Sequence, residues 1–277
     1  MLQSMWYNKR HGRYIRFKRK ELLLMHLFAS DLDNTLIHSY KRADPEDVCV
    51  EVKDGKMLSF MTPYAYNKLR KLNSNKDIAF VPVTTRSVEQ YRRIDFFDGR
   101  SPHLALAANG GILLIDGISD LQWFEESKAL ISDSMKEFKT GMRYLENDTD
   151  IYFELRIVDE LFVFTKSHDP LKTKECLEKI LDPDIVSPYM IGDKVYIFPN
   201  ILSKGNAVSR LKKKFVFDKT ICAGDSEFDV SMLDIADTAY CPDVLCDDVN
   251  NQNLIGFDIT EKRFADLLLD EFERSCF

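Results

Sequence analysis

Two aspartates, Asp31 and Asp33, directly follow an apolar run at residues 22–29. Side chains alternate between the two faces of a strand, so residues at i and i+2 point the same way. In open α/β sheets, the edge where strands end is the edge where ligands bind. Two carboxylates held together repel each other unless a cation or a shared proton compensates. The pair therefore predicts a Mg²⁺ site, an acid–base pair, or both.

Three later segments supply groups that suit the same chemistry. Thr84 ends a second predicted strand, Lys204 begins a predicted helix, and Asp225 and Asp229 lie in Gly-Asp-Ser-Glu-Phe-Asp at residues 224–229. Carboxylate oxygens suit a hard cation that also binds substrate phosphate. A carboxylate can attack phosphorus, a neighbouring carboxylic acid can protonate the leaving oxygen, and lysine and threonine can hold phosphoryl oxygens. The set predicts Mg²⁺-assisted phosphoryl chemistry.

Each of these groups, taken alone, also has an ordinary structural interpretation. The Asp-x-Asp-x-Thr sequence is found in turns and helix caps, Thr84 can cap a helix that begins at Ser87, and Lys204 can be a solvated lysine. Their order along the chain favours the functional interpretation. Arg86 stays open between two roles, as a partner of the core acids or as a possible substrate-binding residue.

The elements that position these residues alternate between strand and helix on both sides of a different stretch. Apolar periodicity, turn residues and helix caps predict strands at 25–30, 48–52, 57–60, 78–83, 104–107, 111–115, 220–223 and 238–241, and helices at 62–72, 87–94, 204–214, 226–236 and 260–274. The stretch between residues 119 and 199 predicts a long helix at 121–146, a hairpin of 151–157 and 161–165, a helix at 170–181, and a hairpin of 185–190 and 194–198.

This pattern predicts an α/β fold with two units. Residues 25–118 and 200–277 form a Rossmann-like parallel-sheet core, and residues 119–199 form an inserted α+β domain. Residues 1–24 form a basic leader with seven basic residues and one acidic residue, a net charge of +6, which leaves −13 on the remainder. We expect the leader to be poorly ordered and outside the fold.

Composition limits the class of protein. The chain is 45% hydrophobic and 30% charged, as in globular proteins, and no apolar run reaches the length of a membrane span. An acidic body argues against a nucleic-acid binder. Six cysteines are scattered without a CxxC pair, so a zinc site is not expected. With no secretory signal at the start, we expect a cytoplasmic protein with reduced thiols.

Taken in chain order, the segment Asp31-Leu32-Asp33-Asn34-Thr35, Thr84, Lys204 and the segment 224–229 resemble the four motifs of the haloacid dehalogenase superfamily. The insert between the second and third motifs resembles the large α/β cap of the Cof-type and sucrose-phosphate-phosphatase-like branch. Eukaryotic phosphomannomutases share that cap. The resemblance implies that the cap closes over the nucleophile.

The resemblance also implies a role for each matching residue. Asp31 would be the nucleophile and a Mg²⁺ ligand, and Asp33 the general acid/base with its backbone carbonyl on the metal. Thr84 and Lys204 would bind the phosphoryl group. Asp225 would be a metal ligand, and Asp229 would support the metal shell.

The chain departs from the branch at Thr85, Ser226 and Phe228, where glycine, glycine and asparagine are frequent. None of these departures removes a catalytic group. True dehalogenases lack an acid/base at the position of Asp33, so its presence favours phosphoryl chemistry.

These roles imply a Mg²⁺-dependent phosphatase that hydrolyses a small phosphorylated metabolite, with a sugar phosphate favoured, through an aspartyl-phosphate. Two alternatives stay open. A phosphomutase of the phosphomannomutase type would use the same groups and return the phosphoryl group to a second hydroxyl. A non-catalytic sensor would bind a phosphorylated ligand on the same scaffold. The expected partner is a small phosphorylated substrate, with no nucleic acid and no membrane span, and the basic leader could touch an anionic surface.

Overall fold

The computed structural model describes residues 9–10, 13–14, 25–97 and 99–276. Within the basic leader, strands β1 (Lys9–Arg10) and β2 (Arg13–Tyr14) pair in antiparallel fashion. The other residues of the leader, to which most of the prediction of poor order applies, lie outside the described residues. In the described part of the chain, no helix is both long enough and apolar enough to cross a membrane.

A five-stranded parallel sheet forms the centre of the protein, in the order β17-β16-β15-β3-β7. Its interior strand β3 has both faces covered, because Leu27, Phe28 and Ala29 are fully buried. Ser30 at the end of β3 pairs with neighbours near the ends of β7 and β15, so these three strands end at the same edge. The strands are β3 (His26–Ser30), β7 (Ile78–Pro82), β15 (Thr220–Ala223), β16 (Thr238–Pro242) and β17 (Leu254–Phe257).

Helices cover both faces of this sheet. Phe28 points into a core that includes Phe272 of α8, whereas Leu27 and Ala29 point into a second core with Val208 of α6. Because successive side chains of β3 point to opposite faces of the sheet, the strand packs against a helical layer on each face, as in doubly wound folds. The helices around the sheet are α1 (Pro63–Asn73), α2 (Val88–Tyr91), α3 (Leu121–Leu130), α6 (Lys204–Lys214), α7 (Glu227–Asp234) and α8 (Phe264–Cys276).

Two antiparallel sheets extend the core. One contains β4 (His38–Ser39), β5 (Val48–Lys53) and β6 (Lys56–Met61). The other contains β8 (Leu104–Ala107), β9 (Ile112–Ile115) and β10 (Ile118–Ser119). The strands predicted at 48–52 and 57–60 pair as a hairpin around Asp54-Gly55, and both turn residues have positive φ (51° and 74°), as a type I′ turn requires.

The inserted domain is a four-stranded antiparallel sheet with two helices, and it is called the cap here. The strand order of this cap sheet is β11-β12-β14-β13. Helix α4 lies against one face, with Gly141 close to Ile197 of β14. The fold is therefore α/β with an inserted α+β cap, as predicted. The cap elements are β11 (Arg156–Val158), β12 (Phe162–Lys166), β13 (Val186–Ile191), β14 (Lys194–Pro199), α4 (Ser134–Leu145) and α5 (Pro170–Ile180).

The helix predicted at 121–146 is wrong as a single element, because the chain breaks between α3 and α4. Buried Trp123 joins α3 to the core layer around Val208, whereas Phe138 of α4 is buried with the cap residues. The chain must therefore leave one layer and enter another near Ile131. The boundary predicted at residue 119 stays a prediction, and the packing of Trp123 favours a cap that begins after α3.

Other boundaries differ for local reasons. The helix predicted at 87–94 ends at Tyr91, because Ile94 forms a β-bridge with Glu51. The strand predicted at 151–157 is shortened to β11, because the Phe153 carbonyl accepts a hydrogen bond from the Thr165 hydroxyl instead of one from a backbone N–H. The last helix begins at Phe264 rather than Thr260. The edge strand β17 was not predicted from the sequence.

Candidate active site

Lys204 lies at the centre of the candidate active site. It is the first residue of α6, whose N-cap Ser203 accepts a hydrogen bond from Asn206 N at 3.2 Å. Its side chain is only 1% exposed, and Nζ donates to Asp31 Oδ1 and to Asp229 Oδ1, the latter at 2.6 Å. Burial alone lowers the pKa of Lys204, but the two carboxylates raise it above its usual value. The lysine is therefore held as a buried cation.

Three carboxylates surround this lysine. Asp31, Asp225 and Asp229 each offer an oxygen within 4.8 Å of the others. Asp225 Oδ1 accepts from the hydroxyl of Thr35 at 2.9 Å. Asp229 Oδ2 accepts from Asp225 N, Ser226 N and Ser226 Oγ, each at 3.0 Å.

These bonds divide the carboxylates into two kinds. Both oxygens of Asp229 are taken by protein donors. Asp31 Oδ2 and Asp225 Oδ2 have no hydrogen-bond donor among the described residues. The two unsatisfied oxygens come from strand ends that lie side by side in the sheet. They are the atoms most able to bind a cation.

The carboxylates of this cluster outnumber its single lysine. Burial raises the pKa of Asp31 well above its ordinary value, Lys204 offsets only part of this, and Asp229 and Asp225 add to it. Burial and the neighbouring Asp229 raise the pKa of Asp225 to about 7. One ammonium does not neutralise so many carboxylates, whereas a divalent cation with oxygen preference would. The donor set fits Mg²⁺.

Asp33 lies beside this cluster and is tied to Arg86. Arg86 donates from Nε to Asp33 Oδ2 and from Nη2 to Oδ1, both at 2.7 Å. Its Nη1 donates to Glu51 Oε2 at 2.8 Å, and buried Glu51 also accepts from Arg93 and Ser59. Of the two roles left open for Arg86, the structure shows a partner of the acids. Glu51 was not singled out from the sequence, because nothing near it in the chain indicates this pairing.

The electrostatics of Asp33 differ from those of its neighbours. Burial raises its pKa, but the hydrogen bonds and charge of Arg86 lower it more, and Lys194 of the cap lowers it further, so the net pKa is below the ordinary value. The side chain is nevertheless 49% exposed. Asp33 is therefore an ionised carboxylate at the mouth of the site.

Thr84 is buried at the end of β7, as the sequence predicts. Its Oγ1 accepts from Arg86 N at 3.2 Å, and its backbone N donates to Leu106 O at 2.9 Å. The structure thus brings Asp31, Asp33, Lys204, Asp225 and Asp229 to one edge of the sheet, with Thr84 on the adjacent strand end. The five charged residues are called the catalytic floor below.

Asn109, in the segment between the strands predicted at 104–107 and 111–115, connects two of these loops. Its backbone N donates to Thr84 O at 2.9 Å, and its Nδ2 donates to Leu202 O at 2.6 Å, two residues before Lys204. Ala108, Asn109 and Gly110 all have positive φ, and a side chain at Gly110 would meet Ala207. The Asn-Gly pair was the available signal, since both residues tolerate this backbone region.

The cap contacts the core on two sides of the floor. The ring of Phe228, one residue before Asp229, lies 4.5 Å from Tyr189 and 5.5 Å from Phe198 of the cap sheet, centroid to centroid. On the other side, Asp159 in the β11–β12 turn accepts from Val88 N at 3.0 Å. The cap therefore contacts the core beside Asp229 and at the start of α2.

The sequence model of haloacid dehalogenase-like hydrolases matches residues 93–242, more than half of the chain. The chain belongs to this family. No curated protein sequence is significantly similar to it.

Solved structures of the same fold cover almost the whole chain. The sucrose-phosphatase from Synechocystis sp. PCC6803, in complex with sucrose and phosphate, is 14% identical with a TM-score of 0.59, over 92% of this chain and 98% of that chain. SMU.1108c from Streptococcus mutans UA159 is 13% identical with a TM-score of 0.55, over 91% and 99%. A trehalose-6-phosphate phosphatase related protein is 16% identical with a TM-score of 0.51, over 90% and 98%. At these identities the likeness shows the fold.

Proposed function

We propose that this protein is a Mg²⁺-dependent phosphatase that hydrolyses a small phosphorylated metabolite through an aspartyl-phosphate on Asp31. The proposal rests on which carboxylate oxygens of the floor accept hydrogen bonds from protein donors and which do not. Asp31 and Asp225 each keep one oxygen that no described residue donates to, while Lys204 and Asp229 form a buried ion pair. This arrangement supplies a nucleophile, a cation site and a fixed positive charge at one point.

In the first step, a carboxylate oxygen of Asp31 attacks phosphorus, and the bond from phosphorus to the leaving oxygen breaks. Asp33, which is ionised while Arg86 holds it, takes up a proton from solvent once the substrate separates the two, and gives that proton to the leaving oxygen, so an alcohol departs. Lys204 and Thr84 hold the phosphoryl oxygens as their charge develops. Mg²⁺ would be held by Asp31, Asp225 and the backbone carbonyl of Asp33, and would neutralise charge on the phosphoryl group.

In the second step, Asp33 takes a proton from a water molecule as that water attacks phosphorus. The acyl phosphate bond breaks, inorganic phosphate leaves, and the Asp31 carboxylate is restored. Asp33 can reach the substrate only if one of its oxygens leaves Arg86, which binds both of them in the free protein. Arg86 is then free to bind the substrate, which is the second role considered for it.

Among small phosphorylated metabolites, we favour a sugar phosphate as the substrate. The Synechocystis sucrose-phosphatase, which binds sucrose and phosphate, has the same fold around its site. A phosphomutase would use the same floor, and analysis of the products formed from a hexose phosphate would distinguish the two. A non-catalytic sensor would not need the complete set of Asp31, Asp33, Lys204 and Asp225. The cytoplasmic location expected from the sequence stays a prediction.

The test is phosphate release from p-nitrophenyl phosphate by full-length protein, with Mg²⁺ and with a chelator. We expect release only with Mg²⁺, and none from the Asp31→Asn variant, because an amide is not a nucleophile of this kind. Asp44→Asn, an exposed carboxylate outside the floor, is the matched control and should release phosphate like the wild type. Release by Asp31→Asn at the wild-type rate would refute the assignment.

A further inference from the structure

The face of the cap sheet that looks toward the catalytic floor is aromatic at its centre. Phe164, Tyr196 and Tyr189 pair in register across three strands, and the rings of Phe162 and Phe198 lie 4.4 Å apart on the same face. The opposite face is covered by helices, as shown by Gly141 against Ile197. Contact between the aromatic face and Phe228 shows that it is the face turned to the floor.

The rim of this face is basic. Lys166 and Lys194 pair in register two residues from Phe164 and Tyr196, so their side chains share the aromatic face. Lys166 is paired with Asp193 at 3.0 Å. Lys194 is exposed and has no ion-pair partner among the described residues. Its charge nevertheless acts on Asp33 in the floor. Arg156 shares this face as well, in register with Phe164, but it lies over the Phe164 ring and 4.0 Å from Glu154. Lys194 is therefore the cation of the cap face that has no ion-pair partner among the described residues and is available to a ligand near Asp33.

The polar side chains of this face are hydroxyls and cations. No strand residue whose side chain shares this face of the described cap sheet is a carboxylate or a carboxamide. The Ser187 hydroxyl shares the face but donates to Asn200 Oδ1 at 2.8 Å. A leaving group in the cleft would meet aromatic rings, the hydroxyls of Tyr189 and Tyr196, and Lys194. Across the cleft it would meet Arg86, which is bound to Asp33 and Glu51 in the free protein. Because Arg86 is paired with these two carboxylates, the positive charge available to a leaving group is that of Lys194 on the cap.

We propose that the preferred substrate is a phosphomonoester whose leaving group carries a second anionic group, a phosphate or a carboxylate, bound by Lys194 from the cap. This inference rests on the proposed phosphatase function and adds the class of substrate. The lysine and the anion would form a charge-assisted hydrogen bond, which is stronger than one between neutral groups. A leaving group without charge would leave the lysine without a partner.

The test compares two esters that differ by one remote carboxylate, phenyl phosphate and 4-(carboxymethyl)phenyl phosphate. The readout is the ratio of kcat/KM for the charged ester over the plain ester, with saturating Mg²⁺. We expect a ratio of roughly tenfold or more in the wild type, as for a charge-assisted hydrogen bond. The ratio should approach one in Lys194→Gln and fall below one in Lys194→Glu. Lys76→Gln, an exposed lysine before β7, is the matched control and should keep the wild-type ratio.

A second comparison, of a hexose monophosphate with its bisphosphate, distinguishes phosphate from carboxylate as the second anion. Lys194→Arg keeps the positive charge and should keep the preference for the charged ester. A preference that is lost in Lys194→Gln but kept in Lys194→Arg is then due to the charge and not to misfolding. Hydrolysis of both aryl esters with the same ratio in the wild type and Lys194→Gln would overturn the inference while leaving the phosphatase proposal intact. Failure of the wild type to hydrolyse any ester with Mg²⁺ would overturn both.

Discussion

The catalytic floor and the cap face lie opposite each other, and they are built from different interactions. The floor is a set of buried charges, each tied by hydrogen bonds such as those from Lys204 to Asp31 and Asp229. The cap face is a set of rings in van der Waals contact, with Lys194 at its rim. Removing one member of a buried charge network leaves its partner without a counter-charge, which is strongly destabilising. One ring of an aromatic surface can be replaced by another apolar side chain at a smaller cost in stability. We therefore expect the floor to determine the reaction and the cap to determine the substrate.

The largest effect is expected at the centre of the floor. Lys204→Met should abolish phosphate release and lower the free energy of unfolding by about 3–5 kcal/mol, because buried carboxylates lose their counter-charge. Urea unfolding with and without Mg²⁺ measures this, and Mg²⁺ should restore part of the loss. Lys212→Met, in the exposed last turn of the same helix, is the control. Equal stability of the two variants would show that the lysine is not needed to balance the floor.

A smaller loss is expected at the mouth of the floor. Asp33→Asn should lower kcat by roughly 10²–10⁴-fold for an ester with a poor leaving group, because one group acts first as acid and then as base. The loss should shrink for p-nitrophenyl phosphate, whose leaving group needs little protonation. Steady-state kinetics over a series of leaving groups gives the result. A loss that is the same for every leaving group would assign Asp33 a different role.

Stability should depend on pH through the floor but not through the cap face. In the metal-free protein the pKa of Asp225 is raised to about 7 from 3.8, so the folded state holds a proton that the unfolded chain releases. Stability should therefore fall as pH rises from about 4 to 7, by at most about 1.4 kcal/mol per pH unit from this group. The pKa of Asp33 is lowered, so its opposite contribution is lost only as pH falls below about 4.

Thermal unfolding between pH 5 and 8, with and without Mg²⁺, measures this slope. Asp225→Asn should flatten it, and saturating Mg²⁺ should stabilise the protein more at pH 8 than at pH 5, because the cation competes with the proton. A metal-free protein that becomes more stable from pH 5 to pH 7 would contradict this account of the floor.

The smallest effect is expected where the cap meets the floor. Phe228→Leu should lower the free energy of unfolding by about 1–2 kcal/mol, because part of the aromatic contact with Tyr189 and Phe198 is lost. We expect the order of preference among phosphorylated metabolites to change more than turnover of p-nitrophenyl phosphate. A substrate screen beside that single assay measures both. An unchanged order with a large loss of turnover would place Phe228 in the floor rather than in the cap contact.

The floor was more predictable from the sequence than its surroundings. Asp31, Thr84 and Asp225 each follow a short buried strand, and parallel strands must end at one edge, so local patterns indicated their meeting. The pairing of Arg86 with Glu51 could not be predicted, because it joins a loop to a hairpin that is far away in the chain. The break between α3 and α4 was missed for a similar reason. Helical periodicity continues through Ile131, while the two halves bury their apolar residues in different layers.

The central claim is that Asp31 carries the phosphoryl group between the two steps. The direct measurement is acid quenching of a single turnover with the Asp33→Asn variant, which should slow breakdown of the intermediate, followed by mass spectrometry of its peptides. The account predicts a gain of about 80 Da, one phosphoryl group, on the peptide that contains Asp31, absent without substrate and absent in the Asp31→Asn protein. Phosphate release without any modified peptide, or with the modification on another residue, would contradict it.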